Sequence, residues 1–288
     1  MHLLADLDYT TVLYAALTML GVAVLFTVFL GIANVKLAVQ RDPKEVAIDA
    51  ALPGANCGGC AFAGCSAYAA ALAAGETTNI ALCGPGGPAV AAAIADILGV
   101  EAGDAARRYP VVRCAADASQ RLARGDYHGV PTCTEATLVA GVQGCVYGCL
   151  GFGDCFDACD YDAIRIVDGL PRIDYHQCTS CGACAAACPR GIIQMTPFRQ
   201  PDTLVVACSN REPGKAVRQV CRTGCIACKA CTRVADFFSV EDNLASIDYQ
   251  QYDAPDPDTL QTAAAKCPTK VIFLVGQTAG QPTAAAPA

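Results

Sequence analysis

Between Tyr9 and Val35 the chain carries no charged residue. Taken as a helix, Thr11 to Ala33 alone would rise about 34 Å at about 1.5 Å per residue, more than the roughly 30 Å of a bilayer's hydrocarbon core. The pattern predicts one transmembrane helix over residues 11–35, in contact with lipid, behind an extracytoplasmic segment 1–10. A cleaved signal peptide fits less well. The leader MHLLADLD places Asp6 and Asp8 where such peptides carry Lys or Arg, and no polar cleavage region follows the apolar run. Lys36, Arg41 and Lys44 follow the span and no Lys or Arg precedes it. The positive-inside rule therefore sets the amino terminus outside and everything beyond residue 36 in the cytoplasm.

After a linker over 36–50 the texture changes. Alanine-rich stretches at 66–74 and 89–98 have the composition of helices and predict a small, mostly helical domain over 51–100. The remaining residues hold most of an unusual supply of cysteine: 20 in 288 residues, all after residue 50. A hydrophobic fraction of 53 % argues against disorder, and the length argues against a disulfide-stapled mini-domain. A net charge of -7 sets nucleic acid aside, since phosphates call for a surplus of Lys and Arg. The cytoplasm is reducing, which disfavours disulfides and favours ligation of metal or clusters. Four thiolates hold one cubane iron-sulfur cluster or one structural zinc, so the count allows up to five sites.

Spacing sharpens this. ALPGANCGGCAFAGC with Cys83 gives Cys57, Cys60, Cys65 and Cys83, among glycines that let backbone approach a cluster closely. Further on, Cys178, Cys181, Cys184 and Cys188 followed by Pro189 form the C-x2-C-x2-C-x3-C-P run of bacterial ferredoxins, whose fourth cysteine serves the other cluster of a pair. The preceding GCLGFGDCFDAC supplies Cys149, Cys155 and Cys159, but Phe152 stands at the second ligand position. Cys145, one helical turn upstream, is the nearest substitute.

The chain then repeats itself. GCIACKACTRVA aligns with GCLGFGDCFDAC, pairing Cys221 with Cys145, Cys225 with Cys149 and Cys231 with Cys155, while Cys228 stands where Phe152 does. VVRC ending at Cys114 matches VVAC ending at Cys208, and AACPRGII matches AKCPTKVI, giving Cys267 the role of Cys188. A duplication of ferredoxin units follows, over 141–198 and 199–275, with 101–140 connecting. In the second unit Ala235 replaces the fourth cysteine, and residues 249–266 lack the fifth to seventh. All four losses fall in one cluster, so the unit is expected to keep one site, Cys225, Cys228, Cys231 and Cys267. The intervening DAPDPDT reads as a surface loop in place of the lost site. Interleaving makes Cys159, Cys178, Cys181 and Cys184 a second complete set. Cys149, Cys155 and Cys188 take Cys145 as fourth ligand, leaving Cys114, Cys133, Cys208 and Cys221 as a fifth site or as buried free thiols. An exchange of Cys133 for Cys145 between these last sets stays open.

The amino-terminal helix, the ALPGANCGGCAFAGC domain, the GCLGFGDC element and the ferredoxin tail together resemble the RnfB family, the iron-sulfur subunits of Rnf complexes, in its long, cysteine-rich form, over about residues 10–275. The fold class expected is α+β: a transmembrane helix, a small helical [4Fe-4S] domain and tandem ferredoxin-like units. The resemblance implies about five [4Fe-4S] clusters, at least three, with iron held through the cysteines above. It further implies a component of an ion-translocating ferredoxin:NAD+ oxidoreductase in a prokaryotic plasma membrane. In that role it would take electrons from soluble reduced ferredoxin and pass them to membrane partner subunits, with Na+ or H+ moved by the complex.

The residues themselves supply no bond-making site, no glycine-rich dinucleotide fingerprint and no flavin attachment signal. Two other readings stand beside this one: a membrane-anchored polyferredoxin of a different redox complex, and a zinc-organised scaffold without redox function. His2, His128 and His176 are scattered and read as surface residues. The tail 276–288 is low in complexity and is expected to be disordered.

Overall fold

A computed structural model describes residues 9–36, 41–101, 106–122, 125–252 and 255–278. The leader with His2, Asp6 and Asp8, and the tail from residue 279, lie outside the described residues. The chain divides into two compact units, one reaching Pro43 and one starting at Lys44.

The first unit is built on α1, Tyr9–Lys36. Residues Val12–Lys36 have a mean hydropathy of 2.4, and none of that apolar surface is buried within the protein. Thr18 and Thr27 donate their hydroxyls to the carbonyls of Ala15 and Ala23, at 2.9 and 2.7 Å, so these polar groups are satisfied inside the helix, as a lipid environment requires. The helix is long and apolar enough to cross a membrane.

The second unit opens with α2 (Pro43–Ala51), α3 (Cys65–Ala73) and α4 (Gly87–Leu98). The last two are the alanine-rich stretches. Ile48, Leu52, Tyr68, Leu72, Ile80 and Ile94 close a small core between them. Small alanine side chains let these helices approach, and Gly99, at φ 69°, ends α4 in the left-handed conformation that glycine adopts without strain.

Next come β1 (Arg107–Val112), α5 (Cys133–Thr137), α6 (Asp154–Asp157), β2 (Ile164–Val167), β3 (Leu170–Ile173), α7 (Ala183–Ala186) and β4 (Ile193–Phe198). β1 pairs antiparallel with β4 from Arg107↔Phe198 to Val112↔Ile193, and β2 with β3 across a turn at Asp168 and Gly169, both with positive φ. That is the Asp-Gly signature of a tight hairpin. β5 (Asp202–Val206), α8 (Gly214–Val220), β6 (Phe238–Glu241), β7 (Leu244–Ile247), α9 (Pro257–Lys266) and β8 (Ile272–Gly276) follow. β5 pairs with β8, and β6 with β7 across Asp242 and Asn243, again at positive φ. The same layout of an outer pair enclosing a hairpin therefore occurs twice, and two cores meet at the β5–β8 pair, whose Val205 and Val275 pack into the first and whose Leu204, Val206 and Ile272 pack into the second.

Two sequence expectations change here. The pairing of β1 with β4 draws residues 107–112 out of the connecting segment and into the first ferredoxin unit. Residues 120–122 of that segment also reach the second unit, where Leu122 and Arg222 exchange backbone hydrogen bonds with Val220 and Gln120. The stretch 253–259 is only partly loop. Residues 253–254 lie outside the described residues, but Asp256 accepts from the Asp258 N–H at 2.9 Å and caps α9, with Pro257 in its first turn.

Candidate metal centres

The thiols gather in five sets. In the first, Cys57 and Cys60 lie on the loop before α3, Cys65 opens that helix and Cys83 precedes α4. Asn56 and Gly58 hold positive φ, and Asn56 accepts the Cys65 N–H at 2.8 Å, folding the loop back on the helix start. Burial pushes the Cys83 thiol up, and the neighbouring Cys65, Cys57 and Cys60 push it further, so the four sit within electrostatic reach. Cys57 is exposed.

The second set is Cys159, Cys178, Cys181 and Cys184. Cys184 is pushed up to about 12 by burial and then by Cys178, Cys181, Cys155 and Cys159. It touches the first set through two glycines. A Cβ on Gly59 would lie 2.0 Å from the Cys181 carbonyl oxygen, and one on Gly84 2.1 Å from that of Ser180. Only glycine permits these backbones to meet.

For the third and fourth sets the spacing left Cys133 and Cys145 exchangeable, and the cavities group them the exchanged way. Cys133, not Cys145, lines a small cavity with Cys149, Cys155 and Cys188. Cys145 lines another with Cys114, Cys208 and Cys221. The cause is the placement of α5. Asp154, at the start of α6, accepts the backbone N–H groups of Cys133 and Thr134 and, at 2.7 Å, the Thr134 hydroxyl. Burial raises the Asp154 carboxyl, but the hydrogen bonds from Thr134 and Cys133 outweigh it and hold the pKa below the ordinary value. Phe152, at the missing ligand position, packs on Tyr127 at 5.3 Å under the same helix. Cys155 is pushed up to about 12 by burial and by Cys133 and Cys188. In the fourth set, Asn210 donates to the Cys145 sulfur at 3.4 Å, and burial with Cys114 and Cys221 raises that thiol.

Two arginines join these sets. Arg190 donates to the carbonyls of Cys145 and Gly148 at 3.1 and 2.9 Å while lining the third cavity. Arg121, buried, donates to Ala116 and Gly169 carbonyls at 2.9 and 2.7 Å, and its charge opposes the rise of both Cys149 and Cys221.

The fifth set, Cys225, Cys228, Cys231 and Cys267, lines a cavity roofed by Val240, Ala245, Val271 and Ile272. The Cys225 N–H donates to the Cys208 sulfur of the fourth set at 3.3 Å. Where a sixth set would stand there are aromatic side chains. Tyr252 occupies the position of Cys178, is 3 % exposed and meets Phe237 edge-on at 5.1 Å. A cleft of about 580 Å³, lined by Arg108, Arg113, Gln194 and Tyr249 among others, has no cysteine in its lining.

Among the described residues no group of three or more His, Cys, Asp or Glu side chains converges so as to hold one metal ion. A zinc ion needs four sulfurs at about 2.3 Å from one point. Each set offers four thiolates, the number that the four irons of a cubane take one apiece, so the donor chemistry fits [4Fe-4S] clusters.

Comparison with known proteins agrees. A family model described as a putative Fe-S cluster matches residues 52–85, and one described as a 4Fe-4S binding domain matches residues 171–194. Three relatives are B subunits of ion-translocating complexes. That of the Na+-translocating ferredoxin:NAD+ oxidoreductase complex of Acetobacterium woodii is 42 % identical over 81 % of this chain and 70 % of its own length. That of the ion-translocating oxidoreductase complex of Methanosarcina acetivorans is 38 % identical over 90 % and 96 %. That of the proton-translocating ferredoxin:NAD+ oxidoreductase complex of Clostridium ljungdahlii is 36 % identical over 91 % and 92 %. Identity of this degree, over 81 to 91 % of the chain, makes it a member of the family of B subunits of ion-translocating oxidoreductase complexes.

Proposed function

We propose that the chain is the electron-transfer subunit of a membrane complex that oxidises reduced ferredoxin with NAD+ and couples this to movement of Na+ or H+. Bound [4Fe-4S] clusters supply reversible one-electron chemistry. The chain's own residues space five such groups and shield them. Cys57, Cys60, Cys65 and Cys83 would hold one, and Cys159, Cys178, Cys181 and Cys184 the next. Cys133, Cys149, Cys155 and Cys188 would hold the third, Cys114, Cys145, Cys208 and Cys221 the fourth, and Cys225, Cys228, Cys231 and Cys267 the fifth.

The observation that carries this reading is the unbroken succession of the sets. Gly59 and Gly84 bring the first against the second, Cys155 neighbours Cys184, Cys114 neighbours Cys149, and Cys225 donates to the sulfur of Cys208. A zinc scaffold would have no need of continuity between sites. The apolar helix α1 supports membrane attachment, and Lys36, Arg41 and Lys44 support cluster domains on the cytoplasmic side. NAD+ chemistry falls to partner subunits in the membrane.

The test is the full chain purified in detergent. About twenty irons and twenty acid-labile sulfides per chain are expected at four per cubane, with a brown colour bleached by reduced ferredoxin. A colourless protein, or one that reduced ferredoxin leaves unbleached while dithionite bleaches it, would overturn the reading.

A further inference from the structure

Of the 20 cysteines only Cys57 and Cys228 are exposed. They belong to the first and last sets of the succession, so the two ends of the array are the places where it opens to solvent. The ends differ in charge. The segments bearing the first set, 53–65 and 82–86, contain no charged residue. Those bearing the last, 221–233 and 266–270, contain Arg222, Lys229, Arg233, Lys266 and Lys270 and no Asp or Glu. All five side chains are exposed. Lys229 also lines the cavity of the fifth set, directly after Cys228. Ala227 and Lys229, at φ 54° and 57°, turn the backbone on either side of Cys228. The corresponding loop of the first unit, 145–157, is opposite in sign, with Asp154 and Asp157 and no Lys or Arg.

A chain of net charge -7 that carries five exposed cations and no anion on the two segments bearing its last thiol set, with Lys229 lining their cavity, has a local field there opposed to its overall one. Such a patch steers an anionic partner to that spot, while acidic loops elsewhere repel it. We propose that the face around Cys228, framed by Arg222, Lys229, Arg233, Lys266 and Lys270, is the docking surface for a small acidic one-electron carrier protein. The proposal rests on the function argued above and assigns that function's entry point. One electron leaves the carrier and one is gained by the chain, with no bond made or broken.

The experiment compares cluster-loaded full-length chain with the Lys229→Glu/Lys270→Glu double variant and with Arg165→Glu, which reverses an exposed charge on β2 of the other unit. Bleaching by a reduced, acidic two-cluster ferredoxin is followed by stopped flow at several salt concentrations, alongside iron content and bleaching by a small reductant. The double variant is expected to keep its iron, to react unchanged with the small reductant, and to lose about tenfold or more in second-order rate with ferredoxin at low salt, the range that electrostatic steering supplies. Its salt dependence should flatten, and Arg165→Glu should stay within about twofold. A double variant as fast as the unaltered chain, or an Arg165→Glu equally slow, overturns the docking face and leaves the function standing. Should the double variant keep its rate but lose partner subunits on purification, the face belongs to assembly instead, which also overturns the proposal. An unaltered chain that ferredoxin fails to reduce overturns the function, and the docking face falls with it.

Discussion

The two ferredoxin units share one layout and differ in which ligand positions carry a cysteine. In the first a single position, Phe152, no longer offers a thiol, and Cys133 lies in the gap, carried in on α5 by Asp154. In the second a whole set is gone, and the space has become ordinary core. The backbone shows how. Tyr175 donates its hydroxyl to the Pro110 carbonyl at 3.1 Å, and its counterpart Tyr249 does the same to Leu204 at 3.0 Å. Proline has no N–H, so residue 110 needs nothing more. Leu204 does have one, and Tyr252, standing where Cys178 stands, accepts it at 3.0 Å. Losing one ligand leaves three thiols that a fourth can complete; losing four leaves a cavity and an orphan donor, and one tyrosine answers both.

The largest effects separate the third and fourth sets. Cys133→Ala should remove one cluster, taking iron from about twenty to about sixteen, while Phe152→Cys added to it should restore the ferredoxin run and return the count. Cys145→Ala should also cost about four irons, but Phe152→Cys should not recover them. Iron and sulfide analysis with electron paramagnetic resonance of the reduced chain distinguishes the pairings. Recovery of the Cys145→Ala chain by Phe152→Cys would instead place Cys145 with Cys149, Cys155 and Cys188, as the spacing alone suggested.

That exchange marks where the sequence stopped being legible. The C-x2-C-x2-C-x3-C-P run and the coherent loss around Ala235 could be read because ligands on one loop lie at fixed spacings. Cys133 could be read only as an exchange left open, since its place depends on a carboxylate 21 residues away closing onto α5. One signal was available. The duplication pairs Cys114 with Cys208 and Cys145 with Cys221, and a site built from equal halves of two repeats takes those four together. The aromatic filling was hidden for another reason. A Tyr in place of a Cys reads as loss until the strand it serves is known, and residues 257–259 looked like loop although Asp256 and Pro257 start a helix.

A smaller effect tests the filled site. Tyr252→Ala should destabilise the second unit by about 3–5 kcal/mol, from the cavity and the unmet Leu204 N–H together. Tyr252→Phe isolates the second contribution and should cost about 1–3 kcal/mol. Urea unfolding followed by aromatic fluorescence measures both, and iron content should hold near the unaltered value in the native baseline. A loss of iron in Tyr252→Phe before unfolding would mean that Tyr252 supports the remaining cluster and not only the core.

Asp154→Ala comes next. It removes the acceptor for two backbone N–H groups and one hydroxyl at the start of α5, where Thr132 still caps Glu135 at 3.2 Å. Loss of a helix-start acceptor costs about 0.5–2 kcal/mol. The effect should concentrate on the third set, as faster release of about four irons to a chelator, while the other sixteen keep their rate. Uniform acceleration would deny Asp154 its specific hold on Cys133.

The smallest change is electronic. Arg121 is 5 % exposed, and its guanidinium is held by the Ala116 and Gly169 carbonyls between the third and fourth sets. A buried cation favours the more negative state of whatever it faces, because little solvent screens it. A reduced cluster carries one more negative charge than an oxidised one, so Arg121→Met should lower the midpoint potentials of these two clusters and leave the other three unchanged. Redox titration followed by electron paramagnetic resonance reads the shift. Methionine fills much of the same volume but leaves both carbonyls without their donors, so iron content and unfolding must be followed too, and Arg121→Lys keeps the charge while losing the fork. If the lysine variant holds the potentials and the methionine variant lowers them, the charge sets them. If both shift alike, the guanidinium acts through the backbone it positions.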